Sequence, residues 1–417
     1  MRDLVKRFYT KLKRETFFSN FLNLSTIQLS NALLLIIIYP VLTRIVGLEV
    51  FGLTMVANTF AGLVGIIVNY GTNQSGIIDI TSNKTNKPEL SKAFFNVLAV
   101  RLALFAAFLI IFIAAGFLEI SNYSFYILSI PLIIAEVINP LFFFVGIEKL
   151  FTYNLYNLLS KIISLITIIL FVKGPPEAPW INFYIGTISI CAYLSLIILN
   201  ITRSTLFITL PRKSEFVALL KNNSFLLINN VSVHLQQSVM VFVMAKWGQP
   251  TWLGAYTLCD KIIWSSRIFI ISISNAIYPK AIQIYNHSVE EWELYREKMK
   301  KYLGLIFFLG SVILSFSASF CVWLIVGESN NTAVSFLRVM AFAPTVAALN
   351  SLNVLDLLLK NNNKTISNIA LALLTLAVVS AVALVKGPVN LIGAYSVIVE
   401  FGALMMYQYF IKKSAFK

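Results

Sequence analysis

The chain has 417 residues, of which 58% are hydrophobic and only 12% charged. Soluble globular domains carry about 25% charged residues, so this composition excludes a soluble protein and points to one embedded in a membrane. Its 33 Lys and Arg against 18 Asp and Glu leave a charge of +15, a surplus that in a soluble chain would indicate nucleic acid. Here the position of the charges argues otherwise.

A bilayer core about 30 Å thick takes roughly 20 apolar residues at 1.5 Å per residue. That ruler predicts twelve spans, at 21–46, 51–71, 93–117, 122–146, 153–173, 180–201, 222–247, 253–278, 302–327, 333–358, 365–385 and 389–411. A basic arm, 1–20, precedes the first span, which is too long for a signal peptide and lacks a small-residue cleavage site; it is expected to be retained. The stretch 202–221, with Pro211 and four basic residues, separates a lobe at 21–201 from a lobe at 222–411, and a short tail follows at 412–417. The expected fold is therefore an all-α polytopic membrane protein of two six-helix lobes.

Basic residues resist translocation, so their distribution sets orientation. On these boundaries the loops and termini of one face carry 24 Lys and Arg, and the other face has only Lys173, Lys246 and Lys386. Both termini are expected in the cytoplasm. The bias, together with attraction to anionic lipid headgroups, accounts for the net charge without a nucleic-acid site. Cys191, Cys259 and Cys321 all lie in apolar runs without metal-ligand spacing, so neither disulfide nor zinc is expected.

A hairpin around Arg44, Gly47 and Phe51-Gly52 is echoed around Lys246, Gly248 and Leu253-Gly254, its two marker glycines 202 residues apart. Val172-Lys173-Gly174-Pro175 after the fifth span recurs as Val385-Lys386-Gly387-Pro388 after the eleventh. Two echoes at equivalent positions imply a duplication. Because each half holds an even number of spans, the repeat is parallel, with a pseudo-twofold axis along the membrane normal.

Ten ionisable residues fall within the expected spans: Arg44, Arg101, Glu136, Lys161, Asp260, Lys261, Arg267, Arg338, Asp356 and Glu400. A charge at mid-membrane costs about 2.5–3.5 kcal/mol on insertion scales and marks a cavity or pathway by default. Arg44, Arg338 and Asp356 lie near span ends, where snorkelling to the interface is expected. Glu136, Arg267 and Glu400 lie near the midplane, and Arg101 and Lys161 roughly 12 Å in from the cytoplasmic side. The cations Arg44, Arg101, Lys161, Lys261 and Arg267 suit an anionic substrate such as a phosphate, to which Arg and Lys donate several charge-assisted hydrogen bonds. Glu136, Asp260 and Glu400 suit a coupling cation. The competing expectation is an interhelical ion pair, such as Glu136 with Lys161 or Arg101, that locks helices and binds nothing. Asn31 on the first span and Asn230, His234 and Gln237 on one face of the seventh form candidate polar cavity faces, which helix–helix hydrogen bonding explains about as well. By this reading Arg44 lies at the periplasmic rim, and Asp260, Lys261 and Arg267 face Arg101 and Lys161 across a cavity. No phosphate loop, zinc motif or nucleophile elbow is present, so an enzyme is not expected.

Several stretches resemble one family. Asn69-Tyr70-Gly71-Thr72-Asn73-Gln74-Ser75, with Asp79 and Lys87-Pro88-Glu89-Leu90-Ser91, is similar to the signature after the second helix of Wzx-type O-antigen flippases. These are polysaccharide transporters of the multidrug/oligosaccharidyl-lipid/polysaccharide (MOP) exporter superfamily. Pro140-Leu141-Phe142-Phe143-Phe144-Val145-Gly146-Ile147-Glu148-Lys149 resembles the stretch between that family's fourth and fifth helices, with Phe142 where the family often has Trp and Val145 where it often has Gln. Leu253-Gly254-Ala255-Tyr256, Asp260-Lys261 and Tyr278-Pro279 match the pattern around helix eight.

The resemblance implies movement of an undecaprenyl-pyrophosphate-linked sugar repeat unit from the cytoplasmic to the periplasmic leaflet of a bacterial inner membrane, by alternating access between two lobes. It implies no cofactor beyond a coupling ion, H+ or Na+. The implied partners are the lipid-linked oligosaccharide, membrane lipids, and polysaccharide polymerase and chain-length machinery. A drug or cation antiporter of the same superfamily is the alternative, against which the basic Arg101 and Lys161 argue. The short outer loops argue against a sugar-chain polymerase.

Overall fold

Lipid offers the backbone no hydrogen-bond partners, so each apolar run closes its own hydrogen bonds as a helix. The computed structural model describes residues 37–116, 121–203, 205–210, 213–360 and 362–415, and helices are the only regular elements among them, with no strand. The first lobe holds α1 (Ile37–Val46), α2 (Leu48–Asn69), α3 (Thr72–Ser82), α4 (Lys87–Gly116), α5 (Tyr123–Ile127), α6 (Ile130–Ile138), α7 (Leu141–Gly146), α8 (Leu150–Phe171) and α9 (Trp180–Thr202). The second holds α10 (Lys213–Trp247), α11 (Pro250–His287), α12 (Val289–Phe316), α13 (Ala318–Val326), α14 (Asn331–Met340), α15 (Ala343–Leu359), α16 (Asn363–Val385) and α17 (Ala394–Ala415).

With α5–α7 and α14–α15 each taken as one interrupted span, ten stretches among the described residues are long and apolar enough to cross a membrane. Two expected spans lie outside that set. The described part of the first is only Ile37–Val46, and α11 is long enough but carries Asp260, Lys261 and Arg267.

Helices overrun the expected loops. α10 begins at Lys213, inside the expected linker, and α11 and α12 run through 279–301 with only Ser288 between them. At 38 residues, α11 is about 57 Å long, nearly twice the hydrocarbon thickness. Hydropathy measures how much helix lies in lipid, not where the helix stops.

The repeated Lys-Gly-Pro stretches fold alike. α8 ends at Phe171 and a single 3₁₀ turn, Pro175–Glu177, leads into α9; α16 ends at Val385 and the turn Val389–Leu391 leads into α17. A third feature sits at the other end of α2, where Tyr70 and Gly71 both adopt positive φ and reverse the chain into α3. A Cβ on Gly71 would lie 2.6 Å from Leu226 Cβ of α10, so both its conformation and its space require glycine.

The end of the molecule with the α1–α2, α8–α9, α10–α11 and α16–α17 turns is called the turn end, and the opposite one, with the α9–α10 connection, the linker end. One apolar core spans both lobes at the turn end, joining Leu42, Phe51 and Met55 to Met240, Met244, Leu253, Tyr256 and Phe336. Towards the linker end the core divides. Ile80, Phe94, Phe142, Phe143 and Tyr153 form a cluster of the first lobe, and Ile270, Trp292, Leu303 and Leu352 one of the second. No apolar core cluster among the described residues bridges the lobes there. Instead α10 touches the first lobe through polar contacts, Asn223 Nδ2 donating to Ser75 Oγ (2.8 Å) and Asn96 Nδ2 to Glu215 Oε2 (2.6 Å).

Asp356 corrects one expectation. It is fully buried rather than snorkelling, and it accepts from Trp292 Nε1 (2.8 Å) while pairing with Arg296 (3.0 Å) and Lys360 (2.9 Å), which ties α12 to α15. Arg338 is exposed, as its position near a span end predicts.

Candidate functional site

Between the lobes, beside the shared core of the turn end, lies a polar cavity of about 150 Å³. Asn58, Thr59 and Gly62 of α2 form one wall; His234, Gln237 and Ser238 of α10 and Asp260, Lys261, Trp264 and Arg267 of α11 form the other. The spacing of Asp260, Trp264 and Arg267 at i, i+4 and i+7 places them on one face of α11, and His234, Gln237 and Ser238 share a face of α10 in the same way. Charges that cost free energy in lipid are thereby gathered on the lobe interface. His234 Nε2 lies 3.5 Å from the Thr59 carbonyl oxygen across the interface, and Gly62 leaves room for its ring.

A smaller cavity of about 60 Å³ adjoins it within the second lobe, sharing Gln237, Asp260 and Arg267 and adding Gln236, Tyr256, Tyr395, Ser396 and Glu400. Arg267 Nη2 and Glu400 Oε1 are 2.8 Å apart, and Lys261 lies 4.0 Å from Asp260. Tyr395 donates to the Gln236 carbonyl (2.6 Å), and Gln236 Nε2 donates to the Ala370 carbonyl (2.6 Å), so α10 is fixed to α16 and α17 beside the site. Lys261 also lines an apolar cavity of about 230 Å³ between α1, α11 and α13, with Tyr39, Ile262 and Leu324.

The sequence-derived residues divide sharply. Asp260, Lys261, Arg267, Glu400, His234 and Gln237 come together at these two cavities. Asn230, one turn from His234 on the same face, is half-buried and outside both linings. Asn31 lies outside the described residues.

Arg101 and Lys161 are elsewhere, which corrects the expectation that they line the cavity opposite α11. Arg44 is exposed at the turn end, donating to the Leu324 carbonyl (2.6 Å) while its neighbour Thr43 donates to the Ile325 carbonyl (3.0 Å). Lys161 is half-buried on α8, away from both cavities. Arg101 is 1% exposed, with its donors engaged by protein: Nε on Thr72 Oγ1 (2.8 Å), Nη2 on Asn73 Oδ1 (2.9 Å) and Nη1 on the Asn139 carbonyl (3.0 Å), with the guanidinium over the Phe142 ring.

The Asn69–Ser75 stretch and the break between α6 and α7 thus form a socket for Arg101. Neither motif touches the cavity. Glu136 belongs to the same network, accepting from Asn69 Nδ2 (3.0 Å) and Asn139 Nδ2 (3.3 Å), and Arg101 reaches its backbone carbonyl (3.3 Å) rather than its carboxylate. The first lobe presents amides instead, with Asn58 Nδ2 donating to Asn182 Oδ1 (3.3 Å). Asn58, Gly62, Gly65 and Asn69 share one face of α2, a stripe of small and polar residues that sequence reasoning missed although its 4-3-4 spacing was there to read.

Residues 17–285 match the family described as polysaccharide biosynthesis protein. A protein of Escherichia coli (strain K12) assigned as an O-antigen transporter is 24% identical over 353 residues, covering 83% of this chain and 84% of its own length. One of Shigella dysenteriae with the same assignment is 22% identical over 345 residues, covering 80% and 84%. Among solved structures, the inward-facing conformation of a multidrug resistance MATE family transporter of the MOP superfamily superposes with a TM-score of 0.73 at 15% identity, over 94% of this chain and 98% of that one. The family match over more than half the chain and the two-lobe helical fold agree: the chain belongs to the polysaccharide biosynthesis protein family.

Proposed function

We propose that the chain carries an undecaprenyl-pyrophosphate-linked polysaccharide repeat unit from the cytoplasmic to the periplasmic leaflet of a bacterial inner membrane, by ion-coupled alternating access between its lobes. The observation that carries this reading is the interlobe cavity, in which Lys261 and Arg267 face the amides and backbone of α2. Two cations offer charge-assisted hydrogen bonds to a phosphoryl group. Asn58, Gln237 and His234 supply the hydrogen bonds a sugar needs, and Trp264 an apolar face for it.

The basic bias of the loops puts the linker end and both termini in the cytoplasm. With the lobes joined by the shared core at the turn end and no such core at the linker end among the described residues, the site is then loaded from the cytoplasmic side. Asp260 and Glu400 beside the cations, and Glu136 in the first lobe, are the carboxylates available to a coupling proton or sodium ion.

The test is complementation of a flippase-null strain. Wild-type protein restores surface polysaccharide, and Arg267→Ala and Lys261→Ala, compared per molecule of protein in the membrane, leave lipid-linked repeat units in the inner leaflet. Drug efflux from cells without any rescue of polysaccharide would instead support the antiporter reading.

A further inference from the structure

Glu400 occupies the place an anion would take. We propose that its carboxylate is a built-in competitor for the anionic group of the substrate, so that only an anion carrying more than one charge displaces it from Arg267; this rests on the transport reading above.

The Arg267–Glu400 contact of 2.8 Å is the charge-assisted geometry a phosphoryl oxygen would adopt on the same guanidinium. Arg267 is under-used by that contact. Its Nε is buried without a hydrogen-bond partner, and an N–H of a guanidinium can only donate. The Ser396 hydroxyl, one turn before Glu400 on α17, is likewise buried and without a partner, in a side chain only 5% exposed. Ser396 and Arg267 line the same 60 Å³ cavity, which is several times the roughly 10–15 Å³ that one water needs. Two side chains, each with a donor that this carboxylate leaves unsatisfied, thus line one cavity beside the ion pair and form the cradle offered to a tetrahedral oxyanion group.

Charge decides which anions enter. Lys261 and Arg267 balance Asp260 and Glu400, so the half-buried quartet is neutral. A singly charged anion gains no more from Arg267 than the resident carboxylate already does, and it must in addition leave Glu400 without its counterion. A multiply charged group keeps a net attraction after the exchange. Asp260 stays near Lys261, while Glu400 has Arg267 as its ion-pair partner among the described residues, which makes Glu400 the group displaced.

The experiment uses the full chain in lipid nanodiscs, titrated with inorganic pyrophosphate and with orthophosphate at one ionic strength and one mildly acidic pH, where orthophosphate is singly and pyrophosphate doubly charged. Wild type is expected to bind pyrophosphate and to discriminate against orthophosphate. Glu400→Gln is expected to bind pyrophosphate at least tenfold more tightly and to gain orthophosphate binding. Arg267→Ala added to that variant removes both, and Ser396→Ala weakens pyrophosphate several-fold in wild type as well as in the variant, which keeps the cradle testable if Glu400→Gln does not purify as a folded protein. Unchanged affinity and discrimination in Glu400→Gln, or unchanged affinity in Ser396→Ala, would overturn the competitor. Wild type that rescues a flippase-null strain while neither protein binds pyrophosphate overturns the competitor and leaves the transport reading intact. Failure of both rescue and binding overturns both.

Discussion

Gly52 and Gly254 lie backbone against backbone across the lobe interface, so that a Cβ on Gly52 would stand 2.9 Å from Gly254 Cα and one on Gly254 would run into the Leu48 carbonyl oxygen. Neither obstacle is a flexible side chain. Overpacking of this kind costs about 1–3 kcal/mol. Gly52→Ala and Gly254→Ala are therefore expected to prise the turn end apart and to lower its closed population by about 5- to 100-fold. Double electron–electron resonance between labels on α1 and α13 would show longer distances, and unchanged distances would count against the seam.

Arg101 is expected to behave as a structural residue. Arg101→Ala leaves buried acceptors on Thr72, Asn73 and the Asn139 carbonyl without their donor, at about 1–3 kcal/mol each, and should reduce the amount of folded protein in the membrane. Arg101→Lys should not rescue it, because an ammonium cannot span Thr72, Asn73 and the Asn139 carbonyl at once. Thermal unfolding of the purified variants checks both. Normal stability with lost transport would return Arg101 to the substrate path.

How far the sequence carried is plain from this pair of cases. The spacing of the two glycines and the doubled Lys-Gly-Pro stretch disclosed the duplication, because symmetry acts on chain order and survives without coordinates. Depth along a helix was also legible, and it put Arg101 and Arg267 both well inside the membrane. What depth cannot give is azimuth. Whether a buried cation faces a cavity or a socket depends on neighbours from other helices, here Thr72 and Asn139 for Arg101 but Glu400 for Arg267. The same ignorance of azimuth hid Asn58, whose role appears only when α2 meets α10 and α11.

Arg267→Ala leaves the half-buried Glu400 without its partner, and this unpaired charge, at less than the about 3–5 kcal/mol of a fully buried one, lowers stability as well as transport. The double variant Arg267→Ala/Glu400→Gln is expected to recover the thermal stability and not the surface polysaccharide. Recovery of both would exclude a substrate role for Arg267.

Asp356, with Trp292, Arg296 and Lys360 around it, predicts a different outcome from the cavity carboxylates. Asp356→Ala should destabilise the second lobe by about 3–5 kcal/mol, and the protein that does fold should transport at the wild-type rate per molecule. A transport defect at full protein abundance would move Asp356 into the mechanism.

The division of the apolar core gives the molecule a preferred posture. Leu42, Phe51 and Met55 share one core with Met240, Met244 and Leu253, while among the described residues nothing comparable joins the lobes at the linker end. Opening the turn end must expose those six side chains without an equivalent apolar seam waiting to form opposite. On the proposed transport cycle, an empty carrier would therefore wait with its mouth towards the linker, and reversal would fall to whatever contacts the cargo makes with both walls at once.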